Sequence, residues 1–489
     1  MPLALYNTLT RGIDPFEPRE AGKVGLYVCG VTVYDRCHVG HARALVVFDV
    51  LHRHLRASGY EVVFVRNLTD VDDRIIERAE REGVPAAEVA ERNVREFQID
   101  VAALGCLAPT HEPRATEFVA EMVALIAELV DRGLAYALDG DVYFAVRAFP
   151  GYGKLSGRRL DEMIAGARVE VDERKRDAMD FALWKAVSAE RETAGEPAWD
   201  SPWGRGRPGW HIECSAMSTH FLGQPFDLHG GGEDLIFPHH ENEIAQSEGA
   251  NGLPLARWFV HNSFVRLNQE KMSKSIGNVF GIRELTDRLP GEALRLFVVS
   301  THYRSPMDFS LEGVEESFRA LVRLYETLAR VDAAAGPVEP AKLGELSPRL
   351  EPFAAALDDD LNTARATSVL FELVREMNRL LDAGDVAGAA AIRRDFAAAA
   401  VVIGIGDRSP AEFLEAERRR ALVVAELSPE DVGSRIAERA QARQAKDWAR
   451  ADRLRDELAA RGIALEDSAG DTTWRPLSWG VEARRSRGR

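Results

Sequence analysis

Two β-branched, apolar runs, 24–29 (VGLYVC) and 61–66 (EVVFVR), flank Leu45, Phe48, Leu51 and Leu55 at helical spacing, with Gly59 as a stop signal. No other feature constrains the fold as much. Strand, helix and strand in so short a stretch make a βαβ unit, which requires a parallel sheet with helices on its faces.

The rest of the chain is divided around that unit. Phe118, Met122, Leu125, Ile126 and Leu129 predict another amphipathic helix, closed by Gly133. Residues 139–205 turn rich in Gly, Pro and mixed polar segments, so an insertion over 136–207 is expected to split the α/β domain into halves at 1–135 and 208–290. Strand-like runs resume at 226–229 and 258–266. From about residue 312 the pattern is almost purely helical. Helices are expected over 291–335, a linker at 333–348 (AAAGPVEPAKLGELSP), a helical bundle over 349–425 and a small module over 428–476. Ser409-Pro410-Ala411-Glu412 is a capping box with Pro at the first helical position, which starts a new helix. The basic end (VEARRSRGR) predicts a disordered tail over 477–489.

Charge and cysteine usage exclude whole classes of function. The 489 residues carry 62 Lys and Arg against 78 Asp and Glu, a net −16, which argues against an indiscriminate binder of DNA or other polyanions. Four cysteines (Cys29, Cys37, Cys106, Cys214) are too few for a disulfide framework and read as buried hydrophobes or metal ligands in a reducing compartment. The start, MPLALYNTLTRG, lacks a signal-peptide pattern, and the most apolar stretch, Ala397 to Ile405, is too short to span a bilayer. A cytoplasmic protein with no membrane partner is expected. Gly204-Arg-Gly206-Arg-Pro-Gly209 has the letters of a dinucleotide fingerprint, but it follows no convincing strand and has Pro where a helix should open. There is no Walker A sequence.

Two motifs carry chemistry. His38-Val39-Gly40-His41 falls at the mouth of the helix after the first sheet strand, where helix N–H groups and partial positive charge attract anions. Two imidazoles there can donate to phosphate oxygens, and Gly40 lets an adenine approach the backbone. Lys271-Met272-Ser273-Lys274-Ser275 puts two ammonium groups on a short polar loop, suited to charge that develops as pyrophosphate leaves. In this order the pair resembles the HIGH and KMSKS signatures of class I aminoacyl-tRNA synthetases, with Val39 for Ile. The resemblance implies an ATP site on a Rossmann-like domain, with His38, His41, Lys271 and Lys274 as the catalytic residues.

Cys29, Cys214 and the cluster His239-His240-Glu241-Asn242-Glu243 offer ligands that suit zinc. On a helix either His239 (i, i+4) or His240 (i, i+3) can share an ion with Glu243, and spacing leaves both open. The segments VCGVTVYDRCHVGHAR, GRPGWHIECSAMS, FDLHGGGEDLIFPHHENEIAQSE and EKMSKSIGN resemble cysteinyl-tRNA synthetases, and the similarity runs from Leu5 to Arg475. It implies one zinc held by Cys29, Cys214, His239 and Glu243. Substrate cysteine differs from serine by one atom, and a metal with room for a further ligand binds thiolate far better than a hydroxyl. The thiolate is then a fifth ligand or displaces Glu243.

The resemblance also implies a substrate and ATP pocket of Gly30, Thr32, Gly40, Thr69, Asp70, Trp210, His229, Gly230, Gly231, Gly232, Asp234 and Ser273. Trp210 is expected to pack on the substrate, Asp70 or a neighbour such as Asp72 to hold its ammonium, and Gly230–Gly232 with Asp234 to floor the ribose and adenine. Cys37 and Cys106 read as packing residues, and Glu233 is given no role.

Between Arg435 and Arg461, eight basic and five acidic residues give +3, opposite to the whole chain. Arg435, Arg439 and Arg443 make a stripe, and Trp448 and Trp474 offer stacking surfaces for unpaired bases. The segment 446–475 resembles the anticodon-recognising end of the same family.

The expected activity is ATP-dependent activation of L-cysteine with Mg²⁺, then transfer to the 3′-terminal adenosine of tRNA(Cys), with attack by the 2′-hydroxyl implied by class I membership. A monomer is implied by the family alone. Two alternatives are a cysteine:amino-sugar ligase of mycothiol synthesis, which lacks the terminal module, and a noncatalytic tRNA-binding paralogue, which has no need of the catalytic motifs.

Overall fold

The computed structural model describes residues 2–159, 174–267, 270–271 (backbone only), 279–338, 347–467 and 472–476. A hairpin of β1 (Ala4–Asn7) and β2 (Gly12–Pro15) precedes the βαβ unit of β3 (Lys23–Val28), α1 (Val39–Ala57) and β4 (Glu61–Arg66). Helices α2 (Asp73–Glu82), α3 (Ala86–Ala103) and α4 (Val119–Asp131) follow. An antiparallel sheet of β5 (Ala135–Leu138), β6 (Asp141–Phe144), β7 (Phe181–Ala186) and β8 (Gly206–Pro208) then interrupts the α/β alternation. The alternation resumes with α5 (Trp210–Leu222), β9 (Phe226–Gly232), α6 (Glu241–Asn251) and β10 (Ala256–Asn262).

The central sheet is parallel, in the order β10-β9-β3-β4. From β3 the chain steps outward to β4, and from β9 to β10 on the other side. The strand order therefore reverses between β3 and β9, and a crevice opens beyond their carboxyl ends. Alternate side chains feed two cores: Leu26, Val28, Phe64 and Val260 on one face, Tyr27, Val65 and Phe259 on the other.

The run 258–266 is two strands rather than one. After β10 the chain leaves the sheet at Ser263, and β11 (Val265–Leu267) pairs with residues 270–271 instead. The strand after Ser263 turns to pair with residues 307–308, with Met307 N donating to Phe264 O (3.0 Å) and Ser263 N to Tyr303 O (2.8 Å). Arg43 on α1 fixes that turn, its buried guanidinium donating to the carbonyls of Phe264 (2.6 Å), Tyr303 (3.0 Å) and Ser305.

Helices α7 (Ile282–Thr286), α8 (Gly291–Val299) and α9 (Leu311–Ala335) lead to a bundle of α10 (Glu351–Asp358), α11 (Thr363–Asp382), α12 (Val386–Ile403) and α13 (Pro410–Ala425). Residues 333–335, expected in the linker, complete the last turn of α9, because Val331 still packs into the core. The C-terminal module is α14 (Pro429–Gln444), α15 (Trp448–Ala460) and a hairpin of β12 (Ile463–Asp467) and β13 (Thr472–Pro476) around a small core of its own. The tail 477–489 lies outside the described residues. No helix of the described residues is long and apolar enough to cross a membrane.

Bundle and sheet domain share one core, and a buried charge cluster locks them together. Asp49 on α1 accepts from Arg53 (2.8 Å) and Arg295, whose guanidinia also donate to Val401 O and Ile403 O (2.8 Å each) at the end of α12. Burial alone would raise the Asp49 carboxyl, but the two arginines outweigh it and hold it below the ordinary range.

Glu292 on α8 is the opposite case. Burial pushes its carboxyl up to about 7, against the bonds it accepts from Gly406 N (2.6 Å) and Tyr325 Oη (3.0 Å). Below pH 4.5 folded and unfolded chains both hold this proton. As the pH rises toward 7 only the unfolded chain releases it, so stability falls across that window by up to about 3 kcal/mol and then levels off. Glu292→Gln should unfold at a higher temperature than the parent, by a margin that grows between pH 4.5 and 7 in thermal scans. A margin independent of pH would show that ionisation is not the cause.

Candidate active site and metal centre

The crevice is a cavity of about 670 Å³ beyond β3 and β9, lined by Cys29, Gly30, Thr32, His38, Gly40, His41, Trp210, Gly232 and Asp234 among others. Nine of the expected site residues therefore face one space. Gly30 is dictated by packing: a Cβ there would lie 1.6 Å from Asn67 O, where the chain leaving β4 crosses the end of β3.

The two histidines are held by each other. His38 is the N-cap of α1, and its Nδ1 accepts from Gly40 N (3.1 Å), while His41 Nδ1 accepts from His38 N (3.1 Å). The rings lie 3.9 Å apart. A neutral imidazole that accepts at Nδ1 carries its proton on Nε2, so both rings offer an Nε2–H donor. This cap fixes the tautomer as well as the helix start. Behind it, Val39 N donates to Phe280 O and Ile282 N to Cys37 O (3.0 Å each), which stitches the histidine segment to the chain that follows the lysine motif. Lys271 is described in its backbone alone, and Ser273 and Lys274 lie outside the described residues.

Cys29, Cys214, His239 and Glu243 converge with all four ligand atoms within 4.8 Å of one another. The sulfurs stand 3.7 Å apart, Cys29 Sγ is 3.3 Å from Glu243 Oε1, and His239 Nε2 is 3.1 Å from the same oxygen. For metal–ligand bonds of roughly 2.0–2.3 Å, tetrahedral ligand–ligand spacings are about 3.3–3.8 Å, so the donor set fits zinc. Burial, then the neighbouring acidic groups, pushes the Cys29 thiol well above its ordinary range, and burial raises Cys214 too. Two thiols and a carboxylate crowded in a buried space are what a bound dication would relieve. A second set, Cys29, His229, His240 and Glu243, is equally compact. Its His240 Nε2 stands 3.9 Å from Glu243, and His240 Nδ1 is engaged by His261 Nε2 (2.8 Å). His239 is better prepared, with Nδ1 against His211 Nδ1 (2.8 Å) and Nε2 directed at Glu243. Trp210 lines the cavity and stacks on the His239 ring at 4.2 Å.

Other expected residues are turned elsewhere. Both oxygens of Asp70 are taken by Thr116, from N (3.0 Å) and Oγ1 (2.7 Å), and Asp72 caps α2 by accepting from Arg74 N (2.9 Å). Thr69 Oγ1 donates to buried Glu213 (2.8 Å). None of the three lines the cavity. Gly230 and Gly231 lie beneath it rather than in its wall, and a Cβ on Gly230 would meet the Phe48 ring at 2.3 Å. His229 is fully buried and bonded to Glu243 (2.8 Å), beside the ligand set instead of the nucleotide space.

The basic stripe of α14 is also corrected. Arg439 is buried and bidentate on Asp467 (2.7 and 2.8 Å), Arg443 pairs with the same carboxylate (3.0 Å) and Arg435 with Glu457 (3.0 Å). Two of the three guanidinia thus turn to the carboxylate that ends β12, and the third to α15. Trp474 packs against the small core, whereas Trp448 stands 59% exposed.

A model of the class I (C) synthetase catalytic domain matches residues 15–319, a DALR domain matches 352–405, and a cysteinyl-tRNA ligase anticodon-binding domain matches 428–475. The cysteine–tRNA ligase of Geobacter sulfurreducens is 52% identical over 485 residues, covering 97% of this chain and 100% of that protein. The chain belongs to the cysteine–tRNA ligase family. Its relative from Trichlorobacter lovleyi is 51% identical over 493 residues, with 97% and 100% covered. Among solved structures, the methionyl-tRNA synthetase of Mycobacterium tuberculosis with methionyl-adenylate matches at a TM-score of 0.57 and 17% identity, covering 83% of this chain and 94% of that one. At that identity it shows the shared fold alone, a class I catalytic domain followed by helical domains.

Three residues around the site escaped sequence reasoning: His211 and His261, which engage His239 and His240, and Asn67. For His211 a signal was available in the segment that carries Trp210 and Cys214. For Asn67, which accepts from Gly30 N (2.9 Å), the only hint was its place at a strand's carboxyl end.

Proposed function

We propose that this chain activates L-cysteine with Mg·ATP and esterifies it to the 3′-terminal adenosine of tRNA(Cys), acting as a cytoplasmic monomer. The cysteine carboxylate attacks the α-phosphorus, a C–O–P linkage forms, and pyrophosphate leaves with the electrons of the broken P–O bond. A terminal ribose hydroxyl of the tRNA then attacks the carbonyl carbon, the C–O bond to the phosphate breaks, and AMP leaves with that bond's electrons while its phosphate takes up the hydroxyl proton. The observation that carries this reading is the meeting, in one cavity, of the helix-mouth imidazoles with Cys29, the corner of the thiol-rich ligand cage that reaches the cavity wall.

Each residue has a task. His38 and His41 donate Nε2–H to phosphate oxygens whose charge grows in the transition state, aided by the N-terminal peptides of α1. Lys271 and Lys274 are assigned to the departing pyrophosphate. Asp234 is a carboxylate on the cavity wall assigned to accept from the ribose or the substrate ammonium. Trp210 covers the substrate side chain and keeps the His239 ring in place. Zinc on Cys29, Cys214, His239 and Glu243 supplies a Lewis-acidic site with affinity for thiolate over hydroxyl. Trp448 offers an aromatic face to an unstacked base.

The amino-sugar ligase reading is opposed by the module at 428–475, which such an enzyme does not need. The test is cysteine-dependent ATP–pyrophosphate exchange, then transfer assays with tRNA and with an amino sugar. Exchange with cysteine but not serine, and transfer to tRNA alone, are expected. Transfer only to the sugar would overturn the reading.

A further inference from the structure

The segments that bring His38 and residues 280–282 together start far apart in the chain, and a single helix face anchors both. On α3, Glu96 and Asp100 lie one turn apart. From the histidine side, Arg36 Nε reaches Glu96 Oε2 at 3.2 Å. From the other side, Arg283 donates Nε to Asp100 Oδ1 (3.0 Å), and its Nη2 lies 2.9 Å from that oxygen and 3.4 Å from Glu96 Oε2. Glu96 is thus shared by both arginines. Between them run the two backbone bonds that join 37–39 to 280–282.

A second contact shows that α3 holds the downstream segment at both ends. Where α8 begins, a Cβ on Gly291 would fall 1.9 Å from Ala103 O at the end of α3, so the two helices touch backbone to backbone. The Asp100 side chain is 1% exposed, and its Oδ2 has no donor among the described residues. A buried carboxylate whose direct contacts both go to one guanidinium restricts where that guanidinium can sit. Phe97, on the same helix, lines the cavity itself.

We infer that Glu96 and Asp100 are positioning residues for nucleotide activation, holding the histidine segment and the stretch at 280–283 in a single register. This rests on reading the cavity as the ATP site. A helix-mouth donor serves only if it meets the phosphate at hydrogen-bond distance, and a shift of about 1 Å costs roughly 10²-fold in rate. Neither carboxylate needs to touch ATP for its loss to be felt there.

The test is steady-state pyrophosphate exchange on the full chain, beside calorimetric binding of a nonhydrolysable ATP analogue and metal analysis. Asp100→Asn should lower kcat about 10- to 10²-fold and weaken the analogue severalfold, with KM for cysteine within twofold and metal content unchanged. Asp100→Glu, which keeps the charge, should recover most of the loss. Should Asp100→Asn fold poorly, Glu96→Gln, whose side chain is 23% exposed, should reproduce the same split at smaller size. An equal rise in KM for cysteine and ATP, or native parameters in both variants, would overturn the inference. An inactive parent chain whose variants still bind the analogue more weakly would refute the ligase reading and leave the anchor standing. An active parent with unaffected variants would do the reverse.

Discussion

Cys214→Ser is expected to cost the chain its metal and, with it, most of its preference for cysteine over serine. Cys214 is 1% exposed, and its sulfur shares a buried space with Cys29 and Glu243. A serine hydroxyl does not ionise at neutral pH, is a harder donor, and sits closer to its Cα than a thiol does. Three ligands remain, poorly spaced for a tetrahedral ion. Metal analysis should fall from one zinc per chain toward none. A site built around one polar group rejects the analogue lacking it by roughly 10⁴–10⁵-fold, and most of that ratio in kcat/KM should vanish. The thiol of the substrate itself would find no partner, so activation of both amino acids should slow. Unchanged zinc stoichiometry would sink the assignment of Cys214 as a ligand.

His41→Ala should be nearly as damaging, through a different parameter. The substitution removes an Nε2–H donor and also the acceptor for His38 N. Loss of one preorganised donor to developing charge costs about 10²–10³-fold in kcat. Pyrophosphate exchange should fall by that amount while KM for cysteine stays put, because the pocket proposed for cysteine is formed by Cys29, Trp210 and the cage instead. Loss of half of the reciprocal cap costs roughly 1 kcal/mol, which for a chain of this length shifts thermal unfolding by only about 1 °C. Equal losses in kcat and in cysteine binding would count against a transition-state role.

The parts of the site that could be read directly from the chain are those whose geometry is local. A β-branched run ending in Cys29-Gly30 and a helix opening at His38 place those residues at a sheet's carboxyl edge, since strand direction and helix mouth follow from periodicity. His239 and Glu243 could be paired by helical spacing. The choice between His239 and His240 could not, because i, i+3 and i, i+4 neighbours both face Glu243. Both rings have Nδ1 engaged, His239 by His211 and His240 by His261, so what favours His239 is distance: its Nε2 lies 3.1 Å from Glu243, against 3.9 Å for His240.

The same distinction explains what was misjudged. Asp70 has the sequence of an exposed acidic run, yet Thr116 captures both its oxygens from 46 residues away. Arg439 belongs to a regular basic stripe, yet Asp467, 28 residues on, folds back to take its guanidinium. Composition counts charges but not their partners. A carboxylate or guanidinium that finds a buried partner is withdrawn from solvent and from ligands, and that partner is chosen by packing.

The sequence alone therefore determined the βαβ core, the order of the modules, the residue types able to grip a phosphate and those able to bind a soft metal. Each of these depends on periodicity or on the chemistry of a side chain. Only the tertiary structure decided how closely each imidazole approaches Glu243, which tautomer His38 and His41 present, which acidic residues are spent on caps, and that α3 anchors Arg36 before the histidine motif together with Arg283 after the lysine motif. Those outcomes depend on hydrogen bonds between groups brought together by the sheet's strand order. Hydrogen bonds are directional, so they are settled only when the backbone has fixed where each donor points.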